Sequence, residues 1–136
     1  MTAPITIIVT GAVRDFVQHL HVCNRLLLTS SQNRGIGQAI CQLILSKREA
    51  SPLKLIATSR KGEDLGLTTH DGNQQISYSA LDILNGNSIK ALADKVAGEG
   101  KVDVLINNAG VNLDDQYGPD NTQKTLDVNF RGTLEV

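Results

Sequence analysis

A chain of 136 residues with a formal charge of −1 fits one compact domain, since domains most often run to ~100–150 residues. Its 40% apolar and 20% charged residues are the balance of a soluble globular protein, and the near-zero charge gives no electrostatic reason to bind nucleic acid or anionic lipid. No run approaches the ~20 consecutive apolar residues that span a bilayer, and no basic-then-apolar leader opens the chain, so a cytoplasmic protein with neither nucleic-acid nor membrane partners is expected.

Taken in chain order, Ile5, Thr6, Ile7, Ile8, Val9 and Thr10 are β-branched and almost continuously apolar, the mark of a strand over 5–10 buried on both faces. Ile36, Ala39, Ile40, Leu43 and Ile44 recur at helical spacing and predict a helix over 35–48, with Lys47 and Arg48 in its final turn. Residues 53–59 read as a second strand and 76–81 as a third. Ile89, Leu92, Ala93 and Val96 share one face of a helix over 85–97, which Gly98 is placed to end. A fourth strand over 102–106 is closed by Asn107, Asn108, Ala109 and Gly110. A polar loop through Gly118 and Pro119 leads to a last helix over about 121–136. Strand–helix alternation of this kind predicts an α/β fold, a doubly wound parallel sheet with helices on both faces. Its crossovers should be right-handed and its ligands should sit at the carboxyl ends of the strands. Cys23 and Cys41 have no metal-ligand spacing and read as small buried thiols in a reducing compartment.

Residues 13–32 break this rhythm. Val13, Phe16, Val17, Leu20, Val22, Leu26, Leu27 and Leu28 are apolar, whereas an exposed loop should be polar and rich in turn residues. His19 and His21 lack a third ligand, which leaves a metal site weakly supported. Joining Ala12 directly to Asn33 produces Thr-Gly-Ala-Asn-Arg-Gly-Ile-Gly. A phosphate-binding turn needs that join, because its strand must pass abruptly into a helix whose N-terminal amides face the pyrophosphate. Val13 is encoded by a codon beginning GT and a Gln32 codon can end in AG, so the 60 coding bases of these 20 residues can begin and end like an intron. Leu28 and Thr29 can supply a CTAAC-like branch point. A retained in-frame intron is the preferred account and a real family-specific insertion is its rival.

The joined turn resembles the T-G-x-x-x-G-x-G signature of the short-chain dehydrogenase/reductase family, and Asn107 to Gly110 matches that family's N-N-A-G motif. The resemblance covers nearly everything outside 13–32 and leans toward carbonyl reductases, on the joined turn, Leu81-Asp82-Ile83 and Thr125 to Thr133. It implies a partial Rossmann-type NAD(P)-binding domain over 1–136. Within it the cofactor would lie against Thr10, Gly11, Asn33, Arg34, Gly35, Ile36 and Gly37, and against Asn108, Ala109 and Gly110. It also implies that Asp82 hydrogen-bonds the adenine ring; a helix cap or loop carboxylate is the alternative for this residue. NAD-preferring relatives carry an acidic residue at the end of the second strand. Here that strand ends Thr58-Ser59-Arg60-Lys61, with no carboxylate before Glu63, so Arg60, with Lys61 and Arg34, is expected to favour the 2′-phosphate of NADP(H). The alternative is that Arg60 and Lys61 are solvated surface charges. Asn129, in Val128-Asn129-Phe130-Arg131-Gly132, matches the family's V-N-x-x-G helix, whose asparagine positions a water in the proton relay.

Relatives reduce a carbonyl by hydride transfer while a Tyr with a Lys four positions later supplies the proton and a Ser orients the substrate. Neither Tyr78 nor Tyr117 has such a Lys, and no strand carrying the Ser follows within the sequence. The expectation is therefore an NADP(H)-dependent oxidoreductase by family, acting on a small-molecule carbonyl or alcohol, whose 136 residues alone do not turn over. A homo-oligomer is expected only of a complete chain. A non-catalytic dinucleotide-binding module and a mis-spliced product without function are the two other readings.

Overall fold

In a computed structural model that describes residues 4–11, 35–47, 52–111, 113 and 118–136, four strands form one parallel sheet. They are β1 (Ile5–Val9), β2 (Leu53–Ser59), β3 (Gln74–Ala80) and β4 (Val104–Ile106), in the order β3-β2-β1-β4. The helices are α1 (Ile36–Ser46), α2 (Gly86–Glu99) and α3 (Pro119–Leu126). α3 continues through a π-helical turn, Asp127–Gly132, into the short α4, Thr133–Glu135. In register, Val9 lies opposite Ala57 on one side and Ile106 on the other. The chain thus winds from β1 to β2 and β3 in one direction, then crosses back to place β4 on the far side of β1. Ligands bind where the strand order reverses in this way, at the carboxyl ends of the two strands that flank the reversal.

Successive residues of a strand point to opposite faces, so Leu55 and Ile56, both fully buried, serve two separate cores. On one face Val9, Leu55 and Ala57 pack with Cys41 and Leu45 of α1. On the other Ile8 and Ile56 pack with Leu92 and Val96 of α2 and with Leu81 and Ile83. Covering both faces is what allows β2 to be apolar without alternation. Cys41 is buried as expected, and burial pushes its thiol up to about 11. Cys23, His19, His21, Arg48, Tyr117 and the whole of 13–32 lie outside the described residues.

Several element ends differ from the periodicity, each through a polar contact. β3 begins at Gln74, two residues early, because the buried Gln74 amide donates to the carbonyls of Leu45 (2.9 Å) and Lys47 (3.1 Å). The same contacts occupy carbonyls at the end of α1, which stops at Ser46, with Lys47 as its cap and not within its last turn. α2 runs through Gly98 to Glu99 and ends at Gly100, whose φ of 127° lies in the region that favours glycine. Its last turns are held on the sheet by Lys54, which donates to Glu99 (2.6 Å), and by Lys95, which donates to Ser79 (2.7 Å). β4 starts at Val104, just after Asp103. The Asp103 amide donates to the Thr6 carbonyl and its carboxylate accepts from the Thr6 amide, both at 3.0 Å. The last helix starts at Pro119, whose fixed φ suits a first helical position. Among the described residues no helix is long and apolar enough to cross a membrane.

Candidate functional site

The carboxyl ends of β1 and β4 are locked together by side-chain-to-backbone hydrogen bonds. The Thr10 hydroxyl, almost completely buried, donates to the Ile106 carbonyl (3.4 Å) and accepts from the amides of Asn108 (3.1 Å) and Ala109 (3.3 Å). The Asn108 amide group donates back to the Gly11 carbonyl at 2.8 Å. Gly11 has φ +56°, and a Cβ there would stand 2.5 Å from the Ala109 Cα. Only glycine combines that backbone with that approach. Thr10, Gly11, Asn108 and Ala109 are thus brought together at the carboxyl ends of β1 and β4, with Gly110 next in the chain.

Gly35 caps the start of α1 with no side-chain hydrogen bond, and no acidic residue lies in the first turn. By contrast, α2 is capped by Asn85, whose side chain accepts from the amides of Asn87 and Ser88. The first-turn donors of α1, at Ile36 and Gly37, therefore lack a capping group from the chain's own described side chains, and helix N-termini of this kind suit a phosphate. Gly37 is buried against the fold and Ile36 is exposed. Asn33 and Arg34 lie outside the described residues.

At the end of β2, Arg60 and Lys61 are exposed at the tip of a turn. The Ser59 hydroxyl accepts from the Gly62 amide and donates to Glu63 Oε2, both at 2.8 Å. Gly62 has φ +68°, and a Cβ there would meet the Ala80 amide nitrogen at 2.7 Å. The Glu63 carboxyl is held below its usual range by its own backbone amide, then by the Ser59 hydroxyl and by the charge of Lys61. Two contacts pin the following loop: Gln38 of α1 donates to the Leu65 carbonyl (2.9 Å), and the Leu67 amide donates to the Tyr78 hydroxyl (3.2 Å). Burial, then a hydrogen bond with Asp64, raises the Tyr78 phenol above its ordinary value, which suits a structural tyrosine.

Asp82 uses Oδ1 to accept from the Leu84 amide at 3.0 Å, shaping the turn into α2, while Asn85 is the helix cap. Asn129 lies in the π-helical turn, a rare geometry that often marks a working part of a helix. Its side chain clamps the Val111 backbone, accepting from the amide at 2.7 Å and donating to the carbonyl at 2.8 Å. A Cβ on Gly110 would approach Asn129 Oδ1 to 3.2 Å, so the glycine gives this clamp room. Asn129 is thereby tied to the loop that follows β4. The sequence pattern singled out neither Ser59 nor Gln38, because a serine or glutamine carries no functional signal until the fold shows what it bonds. Ser59 standing three residues before Gly62 was the one local hint of a hydroxyl-stapled turn.

A 3-2-1-4 parallel sheet whose first turn interlocks with a glycine-containing loop after β4 defines the N-terminal half of a Rossmann-type fold. The sequence profile of the short chain dehydrogenases matches residues 26–136, and the chain belongs to that family of oxidoreductases. Carbonyl reductase [NADPH] 3 of Rattus norvegicus is 31% identical over 118 residues, 84% of this chain and 43% of its own. The 3-oxoacyl-[acyl-carrier-protein] reductase of Vibrio cholerae is 35% identical over 91 residues, 66% of this chain and 36% of its own. A short-chain dehydrogenase from Streptomyces avermitilis superposes with a TM-score of 0.58 at 20% identity, covering 99% of this chain and 42% of its own. The chain thus spans about two fifths of the length of these relatives. The profile match begins inside 13–32, so β1 and its Thr10–Gly11 turn precede it. The place of Ile5–Val9 as first strand rests on its pairing with both β2 and β4.

Proposed function

We propose that these residues form the dinucleotide-binding half of an NADP(H)-dependent carbonyl reductase-like oxidoreductase. The observation that carries this reading is the interlock of Thr10 and Gly11 with Asn108 and Ala109 at the point where the strand order reverses. Bound there, the nicotinamide cofactor supplies the hydride exchanged with a carbonyl or alcohol. The chain's own residues would bind and orient it: the start of α1, capped by none of the described side chains, would take the phosphates, and the Asp82 loop would border the adenine. The basic tip Arg60–Lys61 draws a 2′-phosphate by charge-assisted hydrogen bonds, in keeping with the NADPH named for the rat relative. Asn129, clamped to Val111, is the one residue here with a place in the proton relay.

The sequence has no Tyr-x-x-x-Lys, so turnover is not expected of these 136 residues alone, and a module that binds without chemistry is the second reading. Titration with NADPH of the full chain and of a chain lacking 13–32 separates the two. Binding only after deletion favours a reductase interrupted by a retained intron, binding by both favours a module, and binding by neither refutes both. Sequencing the spliced transcript tests the intron directly: a message in which the 60 bases are always present sinks it. Arg60→Asp should abolish any preference for NADPH over NADH, and a preserved preference contradicts the assignment of Arg60.

A further inference from the structure

The crossover from β2 to β3, residues 60–73, carries no helix. Parallel strands are usually joined through one, which packs on the sheet and fixes the connection. This connection is held by single contacts. Ser59 of β2 holds Gly62, and Tyr78 of β3 holds Leu67. Gln38 ties the loop to α1, its side-chain amide donating to the Leu65 carbonyl at 2.9 Å. Gln38 is the third residue of α1 and precedes the first bond of the helix ladder, from Ala39 to Gly35 at 3.1 Å. Its backbone amide is therefore one of the first-turn donors that the helix itself leaves unmatched, while its side chain reaches the loop that bears Arg60 and Lys61. That contact is kept at a cost. Gln38 Oε1 is buried and accepts no hydrogen bond from the described residues, a desolvation penalty that an apolar side chain of equal length would not carry. Nor is a glutamine needed for packing, since Leu65 and Leu67 already join the core formed with Cys41 and Leu45 of α1.

We propose that Gln38 is a positioning residue, tying the crossover loop to the first turn of α1 so that the Arg60–Lys61 tip and the phosphate end of the helix are held as one unit. The inference rests on the dinucleotide reading above and deepens it: the Gln38 side chain acts through the loop, not on the ligand. A hydrogen-bonded helix is stiff, whereas a connection with few backbone bonds of its own opens readily unless it is cross-linked. Holding two ligand-facing parts at a fixed spacing before binding reduces the ordering that binding must impose. The Gln38–Leu65 bond supplies that spacing from the helix side, as the Ser59 and Tyr78 contacts supply it from the sheet side.

The test is calorimetric titration of the full chain with NADP+, for the wild type, Gln38→Met, Arg60→Ala and the double variant. Methionine keeps the length and helix propensity of glutamine and removes the donor. Losing one hydrogen bond of ordinary strength corresponds to about two- to tenfold, so Gln38→Met is expected to weaken NADP+ by that factor. In the Arg60→Ala background the same substitution should cost less, because the tip it misplaces has already lost a charge. Amide hydrogen exchange at Gly66 and Leu67 of the unliganded chain should also quicken in Gln38→Met. Gln38→Leu, titrated alongside, carries the same expectations should the methionine variant not fold. Unchanged affinity, an equal loss in both backgrounds, or unaltered exchange at Gly66 and Leu67 would overturn the role of Gln38 while leaving the dinucleotide site standing. Failure of the wild type to bind NADP+ would overturn the site itself, and the inference with it.

Discussion

Replacing Gly11 by alanine tests the contact on which the whole site depends. At φ +56° an L-residue with a Cβ costs roughly 1–2 kcal/mol relative to glycine. The added carbon would lie 2.5 Å from Ala109 Cα and 2.9 Å from Ala109 N. Both are backbone atoms that cannot swing aside, so the two loops must part, an overpacking cost of about 1–3 kcal/mol. Together these give about 2–5 kcal/mol, a large share of the ~5–15 kcal/mol by which a domain is stable. Urea unfolding of the full chain followed by circular dichroism reads the loss as a lower midpoint. Gly72→Ala is the matched control, since nothing lies within 4 Å of a Cβ there. If Gly11→Ala unfolds at the same urea concentration as Gly72→Ala, the close approach of the β1 and β4 turns is refuted.

Two further perturbations probe the neighbouring contacts. The Asp103 carboxyl is held below its usual range, first by Lys101 and then by the Thr6 amide, so its contribution is present above the ordinary carboxylate value and is lost as pH falls through the lower folded one. Asp103→Asn should flatten the fall of the urea midpoint as pH drops below the ordinary carboxylate value, and an unchanged acid profile would contradict the link between β4 and β1. Asn129→Ala removes two hydrogen bonds to Val111, worth about 1–2 kcal/mol in this exposed setting. Faster amide hydrogen exchange at Val111 reads that loss, and unaltered exchange would show that Asn129 does not hold the loop.

Much of this molecule is written in its residue order. Nearly continuous apolar runs at 5–9 and 53–57, interrupted only by Thr6 and Lys54, leave neither face of the strand suited to water, so they demand a sheet covered on both sides. The 3.6-residue spacing of Cys41 and Leu45, and of Leu92 and Val96, supplies the two covers. Glycines at 11, 35 and 37 and the Asn-Asn-Ala-Gly tetrapeptide after the fourth strand are local patterns, legible before any fold is known. Element ends were less legible, because they turn on polar contacts such as that of Gln74 with Leu45, made by residues far apart in the chain.

Residue order alone therefore determined the family, the layered α/β architecture and most of the residues at the carboxyl end of the sheet. Only the tertiary structure decided which of them act on one another. Thr10 and Asn108 meet across 98 residues because β1 and β4 are neighbours in the sheet. Glu63 stands at the end of β2 because one hydroxyl closes a turn around Gly62. Periodicity records which side of an element is apolar; hydrogen bonds between distant backbone and side-chain groups exist only once the sheet has chosen its order.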